Sequence, residues 1–308
     1  MIKKRIKNSA GILLPVMGCL IFAGSTLDCN SKPKHQDNYP PTDTFSHIGT
    51  DSATPATLPG DSESQQSEPK KNENGVSKNS KVNGIERLKA AYPQKIKDIS
   101  NNTIYFTDGS TMVYDDGKNK DFITMLDNSD PEDMFFLEYD TSAKTPEYLH
   151  DVGRSRSEQL FKKLYGSTKN EVSKQLVSVP WFGGNVVFSS SNDASKQLAK
   201  VQKELAQHPE LKKYLKSAGT FYWRNVRGAN RLSAHSYGIA IDIGVGNSDY
   251  WLWKNPKASE TAKISYHNRI PMEIVEIFEK YGFVWGGRWY HYDTMHFEYR
   301  PELNPPQK

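Results

Sequence analysis

The sequence predicts an α+β protein: a small central antiparallel sheet flanked by helices, with an N-terminal α/β extension before it. Three observations carry this expectation. Ile239, Ile241 and Ile243 alternate with Ala240, Asp242 and Gly244, the period-two pattern of a strand. Two β-rich runs flank Asp108-Gly109, a strong hairpin signal. Strand-like and helical stretches are interspersed without regular βαβ alternation, which points away from a parallel sheet.

The 308 residues have room for one large domain or two modest ones. The chain is read as four stretches: 1–29, 30–81, an extension over 82–215 and a catalytic core over 216–308 that carries the motifs described below. The first carries Lys3, Lys4, Arg5 and Lys7, then an apolar run from Ala10 to Leu27, and reads as an export signal. Pro15, several glycines and the run's brevity argue against a permanent spanning helix. An uncleaved anchor is the alternative. Val-Met-Gly-Cys19 and Thr-Leu-Asp-Cys29 each loosely resemble a bacterial lipoprotein box, although Met17 is large and Asp28 is charged. Ala23-Gly-Ser25 suits an ordinary signal peptidase. A lipidated cysteine is the favoured reading, giving membrane attachment. The expected location is outside the cytoplasm, in the periplasm or cell envelope. Residues 30–80 hold almost no large apolar side chains and cannot offset the entropy of ordering, so 30–81 reads as a disordered tether. This segment explains why the hydrophobic fraction is only 36%.

Composition also excludes chemistries. A net charge of +4, with no dense Lys/Arg block beyond the first seven residues, gives no case for nucleic acid. Both cysteines precede residue 30, so the folded part has no disulfide, cysteine nucleophile or cysteine metal site. His-Glu-x-x-His, Gly-x-Ser-x-Gly and phosphate-loop patterns are absent.

In the extension, Ile85, Leu88 and Tyr92 have helical spacing, and 103–114 reads as the hairpin. Residues 121–150 are loop-rich, 155–165 helical and 177–189 extended. A long helix is expected over 192–215, interrupted near His208-Pro209, with Leu198, Val201, Leu205 and Leu211 on its apolar face. In the last stretch 220–226 is strand-like, and 271–281 reads as a helix ending at Gly282. Residues 283–285 and 289–299 read as strands joined by Gly286-Gly287.

Chemistry concentrates in two short runs, Ser233-Ala-His-Ser-Tyr-Gly-Ile-Ala-Ile-Asp242 and Asp293-Thr-Met-His-Phe-Glu-Tyr299. His235, Asp242 and His296 offer two imidazoles and one carboxylate, a catalytic zinc set with a position left for water. The same set suits other divalent ions. Asp293 is the candidate proton acceptor. Asp242, inside an apolar run, needs a strong partner. Period two puts His296 and Glu298 on one face. His235 and Asp242 are seven apart, so one straight strand would put them on opposite faces. The chain must therefore bend near Gly238. Arg224 is the candidate for stabilising developing negative charge. Arg227, Ser233 and Tyr237 are candidate substrate contacts. His291 is an alternative ligand or lines the cleft, and Glu298 orients a ligand or pairs with an arginine.

Ser233-x-His235-x-x-Gly238-x-Ala240-x-Asp242, followed by Asp293-x-x-His296, resembles the motif pair of the D-alanyl-D-alanine carboxypeptidase metallopeptidases. That family includes vancomycin-resistance D,D-peptidases and phage L-alanyl-D-glutamate endolysins. The first motif agrees at every family position. The second has Asp where many members have Glu, as in the endolysin-like branch. The resemblance covers about the last ninety residues and leaves the role of 82–215 open. It implies one Zn2+ ion on His235, Asp242 and His296, Asp293 as general base and an upstream arginine, Arg224 matching best. The implied partner is the peptide stem of peptidoglycan, acted on by a monomer. A non-catalytic zinc-containing cell-wall binding protein is the alternative.

Overall fold

The computed structural model describes residues 78–307. The export signal, Cys19, Cys29 and the tether up to residue 77 lie outside the described residues. Helix α1 (Lys78–Ala91) buries Leu88 and is followed by the buried Tyr92. A three-stranded antiparallel meander follows: β1 (Ile96–Ser100), β2 (Thr103–Phe106) and β3 (Thr111–Val113). The first turn is Asn101-Asn102, both at positive φ, the backbone of a type I′ hairpin. The second holds Asp108-Gly109, where the Asp108 carboxylate accepts from the Ser110 amide. Residues 114–157 are mostly irregular, with α2 (Phe122–Asp127) and a 3-10 turn at Asp133–Phe135.

Helices α3 (Glu158–Tyr165) and α4 (Lys169–Ser173) lead into a hairpin of β4 (Leu176–Trp181) and β5 (Gly184–Ser189). The expected long helix is α5 (Ala194–Leu205) followed by a 3-10 turn, Pro209–Tyr214. Pro209 lacks an amide hydrogen and cannot continue the α-helical ladder.

The last sheet positions the candidate site. Its strands are β6 (Ser217–Gly219), β7 (Ala240–Ile243), β8 (Phe283–Trp285) and β9 (His296–Tyr299), in the order β6-β7-β9-β8, all antiparallel. Helix α6 (Trp251–Lys254) is one turn, and α7 (Met272–Lys280) packs on β8. The Phe278 and Phe297 rings stack at 4.0 Å, both fully buried, each contributing about 2 kcal/mol by area. One hydrophobic core runs from Leu88 to Leu303, so it crosses the boundary drawn at residue 215. Among the described residues no helix is long and apolar enough to cross a membrane.

One expected strand is absent and another is shorter than expected, His296–Tyr299 in place of 289–299. Residues 220–226 form no ladder; only an isolated bridge joins Asn225 to Leu232, and the strand in this region is the earlier β6. Aromatic and β-branched composition misled there, because Tyr222 is 65% exposed and has no sheet neighbour to pack on. Residues 289–295 are irregular because their side chains and backbone bond in several directions. The Trp289 indole donates to the Val152 carbonyl, the Tyr290 amide to His150 and the Asp293 amide to Gly286.

Candidate metal centre

Strand register creates the first half of the centre. Asp242 on β7 lies directly opposite His296 on β9. Opposed residues of an antiparallel pair share a face with their side chains in reach. The alternating isoleucines take the other face into the core. The Asp242 Oδ1 to His296 Nδ1 distance is 3.0 Å.

The second half comes from the expected bend. His235 lies in a 3-10 turn, Ala234–Tyr237, ahead of β7. Gly238 closes that turn at φ 67°, and its amide donates to the His235 carbonyl. An L side chain there would be strained, and its Cβ would run into the Leu176 side chain. The bend brings His235 Nε2 to 3.3 Å from Asp242 Oδ2. The His235 and His296 rings stand 5.1 Å apart, and one ligand atom from each of the three residues lies within 4.8 Å of the others.

Bonds behind each imidazole set which nitrogen faces the group. His235 Nδ1 lies 2.7 Å from the Thr220 carbonyl, which accepts a hydrogen, so Nε2 is the free donor atom. His296 reverses this: Nε2 lies 3.3 Å from Glu298 Oε2 and Nδ1 faces Asp242. Metal-binding histidines are held from behind in this way. The charges agree. Burial works against the Asp242 carboxylate, but His235 and His296 outweigh it and hold it well below the usual carboxylate range. Burial likewise opposes charge on His296, yet its bonds to Asp242 and Glu298 push it up to about 10. The pairing favours a positive charge at this point, which a proton on His296 or a bound cation would supply. Two imidazole nitrogens and a carboxylate, each oriented and 9% exposed or less, fit a divalent ion with an open position.

Asp293 stands beside this group. It is partly exposed, but Oδ1 is sealed from solvent and has no hydrogen-bond partner. Burial and then the Asp242 charge push its carboxyl up to about 7. Its backbone bridges to Tyr250, whose hydroxyl burial pushes up to about 12, helped by the Asp293 charge.

The remaining candidates separate. Arg224 is exposed; its guanidinium donates to the Asn225 carbonyl, and its charge is felt at Asp293. It does not end a strand, but its amide and carbonyl bond Ser236 Oγ and the Ser233 amide, tying it to the His235 turn. Arg227 is exposed and its charge acts on Tyr250. Ser233 is buried and precedes the 3-10 turn, where it shapes the chain. Tyr237 points into the core, 1% exposed, with its ring against Phe161 and Tyr165. This placement corrects its expected role as a substrate contact, since a 3-10 turn sends neighbouring side chains in different directions. His291 is not in the ligand group; Nδ1 lies 2.6 Å from Asp151 Oδ2 and its ring stacks on Phe122. Glu298 sits behind His296, the orienting role its place on the strand allows.

Sequence reasoning missed the Thr220 carbonyl, Tyr250 and Arg156, which touches Glu298. A carbonyl leaves no residue-type signal, and the other two lie outside both motifs.

No curated protein and no solved structure matches the chain significantly. Residues 227–299 do match a family model, and that span contains His235, Asp242, Asp293 and His296. The matched family is described as D-alanyl-D-alanine carboxypeptidase, the family that the two motifs resemble.

Proposed function

We propose that this chain is an exported zinc peptidase that hydrolyses peptide bonds in the stem peptides of peptidoglycan, as a D-alanyl-D-alanine carboxypeptidase or an L-alanyl-D-glutamate endopeptidase. The observation that carries the reading is an acid within reach of the charges of a complete three-donor group: Asp293 feels those of Asp242, His296 and His235. A zinc ion held there supplies Lewis acidity, making a water acidic and polarising a carbonyl.

The chain's own residues do the rest. The Asp293 carboxylate takes a proton from the attacking water and passes it to the leaving nitrogen. Burial raises the affinity of this carboxyl for a proton, which suits it to take one up. Burial of the ligands keeps bulk water from competing, and low polarity strengthens each charge. Arg224 and Arg227 present exposed cations on the loop before the His235 turn, suited to a substrate carboxylate or a developing oxyanion. Export rests on the basic residues 3–7 and the apolar run after them, in keeping with a substrate outside the cytoplasm.

The test is mass spectrometry of purified peptidoglycan after digestion, with and without a chelator. Loss of terminal alanine marks a carboxypeptidase, and release of stems at the glycan-linked L-alanine marks an endopeptidase. Unchanged fragments in both arms would overturn the reading in favour of a non-catalytic wall-binding protein.

A further inference from the structure

Behind His296 a chain of buried charges leads out of the family-matched segment and into the extension. Glu298 is fully buried, two residues beyond the ligand on the same strand. Its Oε2 faces His296 Nε2 at 3.3 Å and Arg156 Nη1 at 3.4 Å, and its Oε1 accepts from Arg300 Nη1 at 2.7 Å. Both guanidiniums also donate to one carbonyl, that of Gly153, at 3.2 Å from Arg156 and 2.9 Å from Arg300. Gly153 stands at φ 92°, and a Cβ there would lie 3.4 Å from Arg300 Nη1, so glycine suits the close approach. Arg300 pairs onward with Glu302, which accepts from the Tyr92 hydroxyl at 2.7 Å.

Arg156 and Gly153 come from the irregular segment before α3, and Tyr92 from the end of α1. All three precede residue 227, where the family match begins. The placement of charge has a physical consequence. A buried carboxylate is tolerated only when its oxygens are paired. Glu298 divides them, Oε1 to Arg300 and Oε2 to Arg156 and His296. The terminal torsion of a glutamate is soft, with no deep well of its own to hold its plane. Arg300 is shared with Glu302, so Arg156 is the cation that aims Oε2.

We infer that Arg156 is a positioning residue of the metal centre: through Glu298 it holds the His296 ring with Nδ1 turned to Asp242. The extension is thereby part of the centre. This rests on the reading that His235, Asp242 and His296 hold zinc. Arg156 touches neither substrate nor metal; it acts on the orientation of one ligand.

The experiment measures zinc affinity of the full chain by competition with a chromophoric chelator, beside thermal unfolding. Arg156→Met weakens zinc binding by about 10- to 100-fold, the usual cost of losing an outer partner. Arg156→Lys, which keeps the charge, recovers part of that loss. Tyr92→Phe cuts the far end of the network and lowers the unfolding midpoint with zinc affinity unchanged. Should Arg156→Met not fold, Glu298→Gln and Arg156→Lys read the same quantity. Affinity unchanged in folded Arg156→Met, or an equal loss in Tyr92→Phe, overturns the inference. A wild-type chain that takes up no zinc overturns both the inference and the functional reading. Zinc uptake with the expected Arg156 effect, but no cleavage of peptidoglycan, overturns the functional reading alone.

Discussion

The two imidazoles of the centre are held by opposite means. His235 rides on a turn, and its outer nitrogen meets a backbone carbonyl, that of Thr220. His296 rides on a strand, and its outer nitrogen meets the carboxylate of Glu298. The first anchor is neutral, and any residue at 220 supplies it. The second is a buried charge that needs Arg156 and Arg300 to be tolerable. Both solve one problem, fixing a ring, yet one draws on the backbone nearby and the other on side chains far away in the chain. The turn half therefore depends on local conformation and the strand half on long-range packing.

Substitutions can break that contrast. The largest effect belongs to the acid that precedes the strand half. Asp293→Asn lowers peptide turnover by about 10²- to 10⁴-fold with zinc still bound at one ion per chain. A rate close to wild type, at equal metal content, would remove Asp293 from the chemistry. Next comes the pair of anchors. Glu298→Gln weakens zinc affinity about 10- to 100-fold, whereas Thr220→Val leaves it unchanged because the carbonyl remains. Equal losses in both would erase the distinction between a backbone and a side-chain anchor.

A smaller effect probes the turn itself. Gly238→Ala forces an L residue to φ 67° beside Leu176 and costs about 1–3 kcal/mol in urea unfolding. Unchanged stability would mean the turn relaxes freely and does not define the bend. The smallest effect is on pH. Asp293 and His296 both have folded values above their ordinary ones, about 7 against about 4 and about 10 against about 6.5. Each group contributes stability that is complete below its ordinary value and lost as pH rises through the folded one. The unfolding midpoint of metal-free protein therefore falls between about pH 5 and 9. Zinc, by replacing the proton on His296, flattens that decline. A metal-free midpoint that rises over this range would contradict the buried proton.

What the sequence made legible follows the same division. The convergence of His235, Asp242 and His296 was readable because motif spacing and strand parity are local properties. Parity alone demanded the bend at Gly238, and the turn Ala234–Tyr237 provides it. Arg156 was not readable, because it reaches Glu298 across 142 positions and no spacing rule connects them. Tyr237 was misjudged, since a motif position does not say whether an aromatic ring turns to the cleft or to Phe161. Residues 220–226 have strand-like composition but lack the neighbour that makes a strand. The Asn101-Asn102 turn went unread because the hairpin signal at Asp108-Gly109 rests on glycine, while asparagine also tolerates positive φ.

The opposition of Asp242 to His296 also makes metal binding by this group a register gauge. A slip of one residue between β7 and β9 would turn Asp242 toward the isoleucine side and leave His296 facing an aliphatic neighbour. Such a chain could keep its secondary structure and much of its core, yet it would present no three-donor group. Zinc content per refolded molecule therefore counts the fraction whose central sheet is in the native register.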